Sequence, residues 1–344
     1  MPRPSFFHHL HPPSIPWRES RFTYTFGLGG LAVFLFLVLC FTGALALFYY
    51  VPSLEEANES VQALTFLAPY GWLVRGLHYW AAQALVVVSV LHLLRVALTG
   101  AYKRPRRFNW LLGMILLVAI LFLNFTGYAL RWDQDIAWAL LMGTNLLKSI
   151  PALGPAVYGS LVGGPEIGAS TVVRFYGWHI FGLAVPAFIL IAWHIFRVRR
   201  DGGISHVEEE SQPPRFSRDD LIPREGLATL IATVVLFALT MLFPPSLAPA
   251  AGFRRPQGSP LPDDPAAPWF FIWVQELLRL GDPFLMGVLI PSFILAALVL
   301  VPYVIDSNDS GVARWFNREG RLAQWIALGV VIVLTALTIV GALR

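Results

Sequence analysis

The sequence predicts an all-α integral membrane protein with seven transmembrane helices, and three observations support this class. Of the 344 residues, 56% are hydrophobic and only 13% are charged, whereas soluble domains are about 25% charged. The mean hydropathy is +0.62. Seven apolar runs are long enough, or nearly so, to cross roughly 30 Å of hydrocarbon as helices. They lie at residues 27–50, 77–98, 110–130, 173–197, 226–243, 284–305 and 322–342.

Basic residues between these runs predict how the chain is oriented. The Arg and Lys clusters fall on one side of the membrane, and cytoplasmic loops carry the excess of such residues. The N-terminus is therefore expected in the cytoplasm and the C-terminus outside, in a bacterial-type inner membrane. The same clusters account for the isoelectric point near 9.4 without a nucleic-acid partner. They are Arg3, Arg18 and Arg21; Lys103, Arg104, Arg106 and Arg107; Arg197, Arg199 and Arg200; and Arg314, Arg318 and Arg321.

The chain divides into four parts at changes in composition. Residues 1–21 form a proline-rich N-terminal segment on the cytoplasmic side, and residues 22–205 hold the first four apolar runs. A charged linker at 206–224 precedes a three-helix part at 225–344. Two loops on the predicted outer side are too long for simple connections, and such loops commonly carry function. They span 131–172, with short helical patterns at 137–150 and 156–161, and 244–283, with an amphipathic segment at 268–280.

Two of the apolar runs each carry a pair of histidines about four helical turns apart. His78 and His92 are 14 residues apart, which places them on nearly the same helix face, roughly 21 Å apart along the axis. His179 and His194 are 15 residues apart, about 60° off one face in a regular α-helix. Ionisable groups at membrane depth are usually functional. The pattern predicts a four-helix bundle with two bis-histidine b haems, His78 and His179 binding the outer iron and His92 and His194 the inner iron.

Four glycines repeat the histidine interval on the neighbouring runs. Gly29 and Gly43 are 14 residues apart, as are Gly113 and Gly127. We expect each glycine to leave room for a haem edge, although small residues also allow close helix packing in membranes. Basic side chains near the histidines are candidate partners of haem propionates, and their competing role is to reach the membrane interface. They are Arg75 and Arg174 at the outer end, and Arg95 and Lys103 at the inner end.

A single cysteine limits the other redox chemistry that this chain can hold. Cys40 lies in the middle of the first apolar run. Disulfides, iron–sulfur clusters and a C-x-x-C-H attachment for c-type haem are therefore excluded within the chain. We interpret Cys40 as a packed thiol and predict no covalent c-type haem.

Several short motifs surround these histidines and continue into the second half of the chain. They are Arg75-x-x-His78, His92-x-x-Arg95, Leu98-Thr99-Gly100, Gly127-Tyr128, Trp132-Asp133-Gln134, Arg174-Phe175-Tyr176-x-x-His179, Asp264-Pro265, Trp269-Phe270-Phe271, Gln275 and Leu278-Arg279. Together they resemble cytochrome b of the quinol-oxidising bc1 and b6f complexes, over nearly the whole chain. Residues 22–205 resemble the cytochrome b6 subunit, including its 15-residue histidine spacing. Residues 218–344 resemble subunit IV, so the chain looks like a fusion of the two.

The resemblance implies the cytochrome b subunit of a quinol:cytochrome c oxidoreductase, or of an enzyme with a similar acceptor. The family oxidises a membrane quinol at an outer site, between the 131–172 helices and the 244–283 loop. One electron goes to a Rieske iron–sulfur protein and then to a c-type cytochrome. The other crosses the membrane through the two haems to an inner quinone site, and the cycle contributes to proton-motive force. A homodimer within the complex is also implied.

The predicted quinol site departs from the family at one position. The family motif Pro-Glu-Trp-Tyr, whose Glu accepts a quinol proton, aligns with residues 267–270, which read Ala-Pro-Trp-Phe. Trp269 and Phe270 are retained as candidate site residues, but the carboxylate is missing. Glu276, two turns further along the predicted helix, is the nearest acidic substitute, with a pKa raised by burial. An ion pair between Glu276 and Arg279 at the surface is the competing interpretation.

Other positions near the two ends leave further alternatives. Tyr128 and Asp133 are alternative acceptors of quinol protons. His206 is a candidate for quinone protons at the inner site, and an exposed histidine at a helix end is the equal alternative. Gly27 aligns with the cytochrome b6 cysteine that tethers an additional haem, so no covalent third haem is expected, while a non-covalent one stays open. Arg131 stands where the family usually has proline.

Two other functional classes compete with this interpretation. A b-type haem membrane anchor conducts electrons between quinone and a soluble dehydrogenase or hydrogenase, but it normally has fewer spans and lacks a loop like 244–283. A non-redox transporter with histidine-lined helices would not need haem. The long outer loop and the four-plus-three arrangement of spans argue against both.

Overall fold

The computed structural model describes residues 13–205, 214–250 and 267–344, and its helices confirm the predicted class. His206 and the Asp264-Pro265 motif lie outside these residues. Seven helices of the described chain are long and apolar enough to cross a membrane. They are α1 (Leu28–Ala46), α2 (Gly71–Leu98), α3 (Arg107–Ala129), α4 (Ala169–Arg200), α5 (Arg218–Leu242), α6 (Phe284–Ile305) and α7 (Arg321–Ala342).

The fifth helix departs most from its predicted bounds. α5 begins at Arg218, eight residues before the predicted start, and continues through Pro223. The Ser217 hydroxyl caps it by accepting a hydrogen bond from the Asp219 amide at 3.3 Å, and a carboxylate in the first turn suits the positive end of the helix dipole. Residues 218–224, which composition assigns to the linker, are therefore helical. The span is longer than its apolar run.

Short helices cover the end of the bundle that holds His78 and His179, which we call the outer end. The predicted patterns at 137–150 and 156–161 are helical, and the helix at 57–66 was not anticipated. Beneath these helices Trp132, Val172 and neighbouring apolar side chains are almost fully buried. The short helices are Ala57–Phe66, Gln134–Lys148, Gly154–Val162, the 3-10 turn Trp269–Phe271 and Ile272–Leu278.

The inner end, which holds His92 and His194, carries the one small sheet of the described residues. Two strands pair antiparallel and join the N-terminal segment to the start of α5. Glu19 is 7% exposed, and its Oε1 accepts hydrogen bonds from the amides of Ile204 at 2.6 Å and Ser205 at 3.1 Å, which ties the segment to the end of α4. The elements are β1 (Ser14–Pro16), β2 (Arg215–Ser217) and the helices Trp17–Ser20 and Phe22–Thr25.

The main apolar core lies inside the bundle of α1 to α4, between its two ends. Few residues of α4, α5 and α7 are buried inside the protein, as expected for helices whose outer faces contact lipid. Cys40 on α1 is exposed as well, so its interpretation as a packed thiol is wrong. The core therefore excludes water from the middle of the bundle. Its fully buried members include Leu35, Leu85, Leu116, Ile120 and Ala187.

At the outer end, polar contacts of α2 fasten the first four helices to the segment that follows α5. The Trp80 indole Nε1 donates to the Phe243 carbonyl at 2.9 Å. Arg75 donates to the carbonyls of Pro245 at 3.0 Å and Ser246 at 2.7 Å. We call these contacts the outer seam. They hold the start of the 244–283 loop against the His78 helix.

At the inner end, a buried polar network fastens the α2–α3 loop to the end of α6. Lys103 Nζ lies 3.1 Å from Asp306 Oδ2, with both side chains almost fully buried. Tyr102 donates to the same oxygen at 2.5 Å, and Lys103 also donates to Asn308 Oδ1 at 2.8 Å. Burial, with Asp306 beside the phenol, raises the pKa of Tyr102. Lys103, expected as a propionate partner or an interfacial cation, belongs instead to this inner seam.

Candidate functional site

The four intramembrane histidines form two facing pairs inside the bundle. The ring centroids of His78 and His179 are 6.4 Å apart with planes at 58°. Those of His92 and His194 are 6.5 Å apart at 72°. Each pair joins a side chain from α2 to one from α4, with the apolar core between the pairs. The structure brings together the pairs that the sequence predicts, His78 with His179 and His92 with His194.

The spacing within each pair suits one metal ion held between two imidazoles. A ring nitrogen bonds a transition metal at about 2.0 Å and lies roughly 1.1 Å from its ring centroid, so opposed ligands place their centroids about 6 Å apart. Among the described residues, no group of three or more His, Cys, Asp or Glu side chains is arranged to hold a metal ion. Two axial ligands without further protein donors fit a planar cofactor that supplies its own equatorial ligands.

A π-helical turn in α4 explains how a 15-residue spacing matches a 14-residue one. The π segment covers Trp178–Ala184 and includes His179. A π turn holds one more residue than an α turn, so it absorbs the additional residue between His179 and His194. Both imidazoles therefore face α2, and the offset of about 60° expected for a regular helix does not occur.

Each of the four spaced glycines lies against one of the histidine rings. A Cβ built on Gly127 would come within 2.8 Å of His179 Cε1, and the other three would come within 3.3 to 3.5 Å of theirs. The glycines thus leave the space in which the imidazoles sit, which is more specific than general helix packing. The pairs are Gly43 with His78, Gly127 with His179, Gly29 with His92 and Gly113 with His194.

Two threonines that the sequence reasoning missed contact the outer pair. The Thr42 hydroxyl lies 2.9 Å from His78 Nδ1, and the Thr126 hydroxyl lies 3.0 Å from His179 Nδ1. Each threonine is the middle residue of a Phe-Thr-Gly tripeptide, one in α1 and one in α3. That repeat at the two outer glycines is the sequence signal that identifies them.

Arg95 provides a buried cation one helical turn from His92. It is 3% exposed, its Nε donates to the Tyr24 carbonyl at 3.0 Å, and its guanidinium carbon lies 4.4 Å from the Tyr24 ring centroid. Its Nη2 has no hydrogen-bond partner among the described residues. A buried donor without a partner is costly, so this nitrogen suits an acidic group of a bound cofactor.

The other basic candidates bind protein groups. Arg75 donates to two backbone carbonyls of the outer seam. Arg174 donates to the carbonyl of Ser160, which fastens the start of α4 to the short helix Gly154–Val162. Their guanidinium groups hold the outer helices and loop in place around the His78 and His179 rings.

The predicted quinol-site segment packs against the four-helix bundle. Trp269 Nε1 donates to Gln83 Oε1 on α2 at 2.5 Å. Phe270 is 4% exposed and belongs to the main apolar core. The ring of Phe271 lies 5.8 Å from that of Phe125 on α3, centroid to centroid. The segment therefore presents an aromatic wall beside α2 and α3, and Gln83 is a polar neighbour that the sequence did not point to.

Glu276 is buried and held in two ion pairs. It is 5% exposed, and its carboxylate oxygens lie 3.0 Å from Arg279 Nε and 3.1 Å from Arg344 Nη1. A Cβ on Gly341 of α7 would come within 2.9 Å of its Cγ. The structure therefore brings the Arg279 pair of the competing interpretation together, at a buried position rather than at the surface, and directs Glu276 toward α7.

Asp133, Arg131 and Tyr128 form a compact polar group at the outer end of α3. Asp133 is fully buried and caps the Gln134–Lys148 helix by accepting from the Ile136 amide at 3.2 Å. Arg131 Nε donates to Asp133 Oδ2 at 2.8 Å, and its guanidinium carbon lies 4.6 Å from the Tyr128 ring centroid. Burial lowers the pKa of Arg131, but the charges and hydrogen bonds of Asp133 and Tyr128 together outweigh burial, so the pKa is raised. This pairing explains an arginine at residue 131.

The chain is similar to known proteins in both sequence and fold. The family model for Cytochrome b/b6/petB matches residues 16–202. A menaquinol:cytochrome c reductase cytochrome b subunit of Geobacillus thermodenitrificans is 40% identical over 184 residues, covering 53% of this chain and 81% of that protein. A cytochrome b6 of Tupiella akineta is 41% identical over 175 residues, covering 51% and 81%. A solved structure described as a hyperthermophilic respiratory Complex III shares the fold, with a TM-score of 0.79, 23% identity, and coverage of 96% of this chain and 86% of that one.

Proposed function

Because this chain belongs to the Cytochrome b/b6/petB family, we propose that it is the cytochrome b subunit of a quinol:cytochrome c oxidoreductase or of an enzyme with a similar acceptor. Its family implies b-type haem and an interaction with quinone, and its seven apolar helices make it an integral membrane protein. The observation that carries the proposal is the geometry of the histidines, whose two facing pairs have ring centroids 6.4 and 6.5 Å apart.

The protein residues proposed to hold two b haems are the paired histidines. His78 and His179 ligate the outer iron, and His92 and His194 ligate the inner iron. When bound, the haems supply one-electron redox chemistry and connect the two quinone sites across the membrane. The four glycines leave room at the rings, and Arg95 offers its buried Nη2 to a propionate. The apolar core between the pairs keeps water out and the local dielectric low.

The quinol site is proposed at the outer end, beside Trp269 and Phe270. A quinol that becomes quinone releases two electrons and two protons, so the site needs groups that accept protons. Tyr128 and Asp133 are the proposed acceptors. Arg131 already holds the Asp133 carboxylate, so a proton would have to compete with one cation there. Glu276 is the third candidate, and two arginines hold its carboxylate, so a proton would have to compete with both. Menaquinol is the first quinol to test, because the names of two relatives include it.

The complex is proposed to include a Rieske iron–sulfur protein and a c-type cytochrome. The single cysteine of this chain leaves no ligands for an iron–sulfur cluster and no C-x-x-C-H attachment, so other chains must hold these acceptors. One quinol electron goes to the Rieske protein, and the other crosses to the inner quinone. The subunit is proposed to work as a homodimer with its N-terminus in the cytoplasm, contributing to proton-motive force.

A haem count with a redox titration tests this function directly. The purified protein is expected to yield two b haems per chain in a pyridine haemochrome assay. A potentiometric titration should resolve two separate one-electron steps. One haem per chain would favour a membrane anchor for another oxidoreductase, and a stable protein without haem would favour a transporter. Replacing His194 by Leu should leave one haem and one step, which links the count to the pairs.

A further inference from the structure

The outer histidine pair receives hydroxyl groups from the two helices that do not supply ligands. Thr42 on α1 lies 2.9 Å from His78 Nδ1, and Thr126 on α3 lies 3.0 Å from His179 Nδ1. Both threonines are almost fully buried, at 2% and 5% exposure. Each ligand of the outer pair therefore has its Nδ1 bonded to protein, which leaves Nε2 as the ring nitrogen available to a metal.

The hydrogen bonds of these hydroxyls determine where the histidine protons are. A threonine hydroxyl has one hydrogen to donate. Thr42 Oγ1 donates it to the Val38 carbonyl at 2.7 Å, and Thr126 Oγ1 donates it to the Phe122 carbonyl at 2.8 Å. Both oxygens can then only accept from the histidines, so His78 and His179 carry the proton on Nδ1. Their Nε2 lone pairs are free to bind a metal.

The inner pair lacks this arrangement. The residues that precede its glycines, at the positions equivalent to the threonines, are Leu28 and Leu112. The buried Nδ1 atom of His194 has no side-chain hydrogen-bond partner in the described part of the chain, and only the backbone carbonyl of Asn109 lies beside this ring. On α2, one helical turn from His92, the buried Nη2 of Arg95 has no hydrogen-bond partner among the described residues. The two pairs thus have the same types of ligand and of neighbouring glycine, but hydroxyl partners are found at the outer pair and a buried arginine lies near the inner pair.

We propose that Thr42 and Thr126 are positioning residues, whose hydroxyls fix the tautomer of the outer ligands and lower the reduction potential of the outer haem. An imidazole that donates its second N–H to an acceptor is a more basic ligand, and a more basic ligand favours the oxidised, more positive iron. Each hydroxyl also donates to a carbonyl, which strengthens it as an acceptor. At the inner pair, the charge of Arg95 favours the reduced iron. The proposal rests on the function proposed above.

The test replaces both hydroxyls by methyl groups in the full-length protein within its complex. T42V/T126V should raise the ratio of reduced to oxidised outer haem about tenfold at a fixed ambient potential, by analogy with the smallest effects that second-shell changes have on metal affinity. That ratio corresponds to about 59 mV for a one-electron couple. The inner haem should titrate as before. Potentiometric titration with optical and electron paramagnetic resonance detection gives both values without an activity measurement.

Two further variants keep the test decisive. Thr338→Val on α7 removes a hydroxyl with the same type of bond, to the Leu334 carbonyl at 2.8 Å, and should leave both haems unchanged. T42S/T126S retains the hydroxyls and should titrate as the wild type does. If the double valine variant loses haem, Thr42→Val and Thr126→Val alone should each raise the outer potential, and an unchanged potential in both would contradict the proposal.

Two results would overturn the proposal. One is an unchanged outer potential in T42V/T126V with both haems present, and the other is an equal shift in the serine variant. A wild-type protein with fewer than two haems would instead contradict the proposed function.

Discussion

At the scale of single residues, the four glycines leave different amounts of space beside their histidines. A Cβ would meet His179 at 2.8 Å from Gly127, but its histidine at 3.3 Å from Gly43 and Gly29, and at 3.5 Å from Gly113. The first distance is shorter than real Cβ contacts, and the last is ordinary van der Waals contact. The helices thus approach most tightly at the outer end of α3.

Alanine substitutions at these glycines should lower haem retention in the order of those distances. Gly127→Ala should displace the His179 ring and lose most of the outer haem, close to half of the total, because core shifts cost about 1–3 kcal/mol. Gly43→Ala should lose less and Gly113→Ala least. Gly30→Ala is the control, since nothing lies within 4 Å of its Cβ position. Equal haem content across the series, by pyridine haemochrome, would contradict this geometry.

A second residue-scale prediction concerns Glu276. Glu276→Gln removes two ion pairs, 3.0 and 3.1 Å long, whose arginines are half exposed, so the loss of stability should be about 1 kcal/mol. Quinol oxidation and its pH profile should stay unchanged. Thermal unfolding and steady-state oxidation measure the two effects. A protein of normal stability with defective oxidation would instead restore Glu276 as the proton acceptor.

Some parts of the candidate site can be predicted from the sequence, and others cannot. Spacing along single helices predicts the ligand set His78, His92, His179 and His194, and the structure brings those residues together. The sequence pattern does not point to Thr42 and Gln83, because their contacts are made only where two helices or segments meet. Contacts between helices depend on rotation and depth, which a linear pattern does not contain.

At the scale of elements, the spans were predicted well because length and hydropathy are local properties. The clearest departures have local causes too. The start of α5 at Arg218 depends on the Ser217 cap and the acidic first turn, which hydropathy cannot detect. The π turn at Trp178–Ala184 aligns His194 with His179. It can be predicted only if one already knows that both side chains face the same neighbouring helix.

Deleting one residue from the π turn should leave the site intact. Without Gly182, His179 and His194 would be 14 residues apart, the same interval as His78 and His92, and a regular α-helix would align them. Two haems should remain. Deleting both Gly182 and Leu183 would rotate His194 by about 100° and should leave a single haem. Haem content and helical content by circular dichroism distinguish the two variants. Loss of haem after the single deletion would contradict the alignment of His179 and His194 that we attribute to the π turn.

At the scale of the whole molecule, the inner seam should contribute strongly to stability. Asp306→Asn leaves the Lys103 charge buried without its partner, and breaking such a pair costs about 3–5 kcal/mol. Thermal unfolding in detergent should show a large decrease. Arg104→Gln is the matched control, because its ion pair with Asp309 is exposed on both sides and should change stability by less than about 1 kcal/mol. Similar effects of the two substitutions would contradict the role of the seam.

The seven spans also make a prediction about sidedness. The seven spans of the described residues are an odd number, which predicts that the two ends of the described chain lie on opposite sides of the membrane. The basic clusters predict that the N-terminal end is inside. Alkaline phosphatase fused after Arg344 should be active outside the cell, whereas the same fusion after Ser205 should be inactive. Expression of both fusions is checked by immunoblotting. The reverse pattern would overturn the proposed orientation.

The stacking of the histidine pairs across the bundle has an electrical consequence. Fourteen residues of helix separate His78 from His92, about 21 Å along the axis, or roughly two thirds of a 30 Å hydrocarbon layer. An electron that moved inward between the pairs, as proposed, would work against about two thirds of the membrane voltage, which amounts to about 1.5 kcal/mol per 100 mV. In an energised membrane, the ratio of electrons at the outer pair to electrons at the inner pair should rise roughly tenfold for each 100 mV.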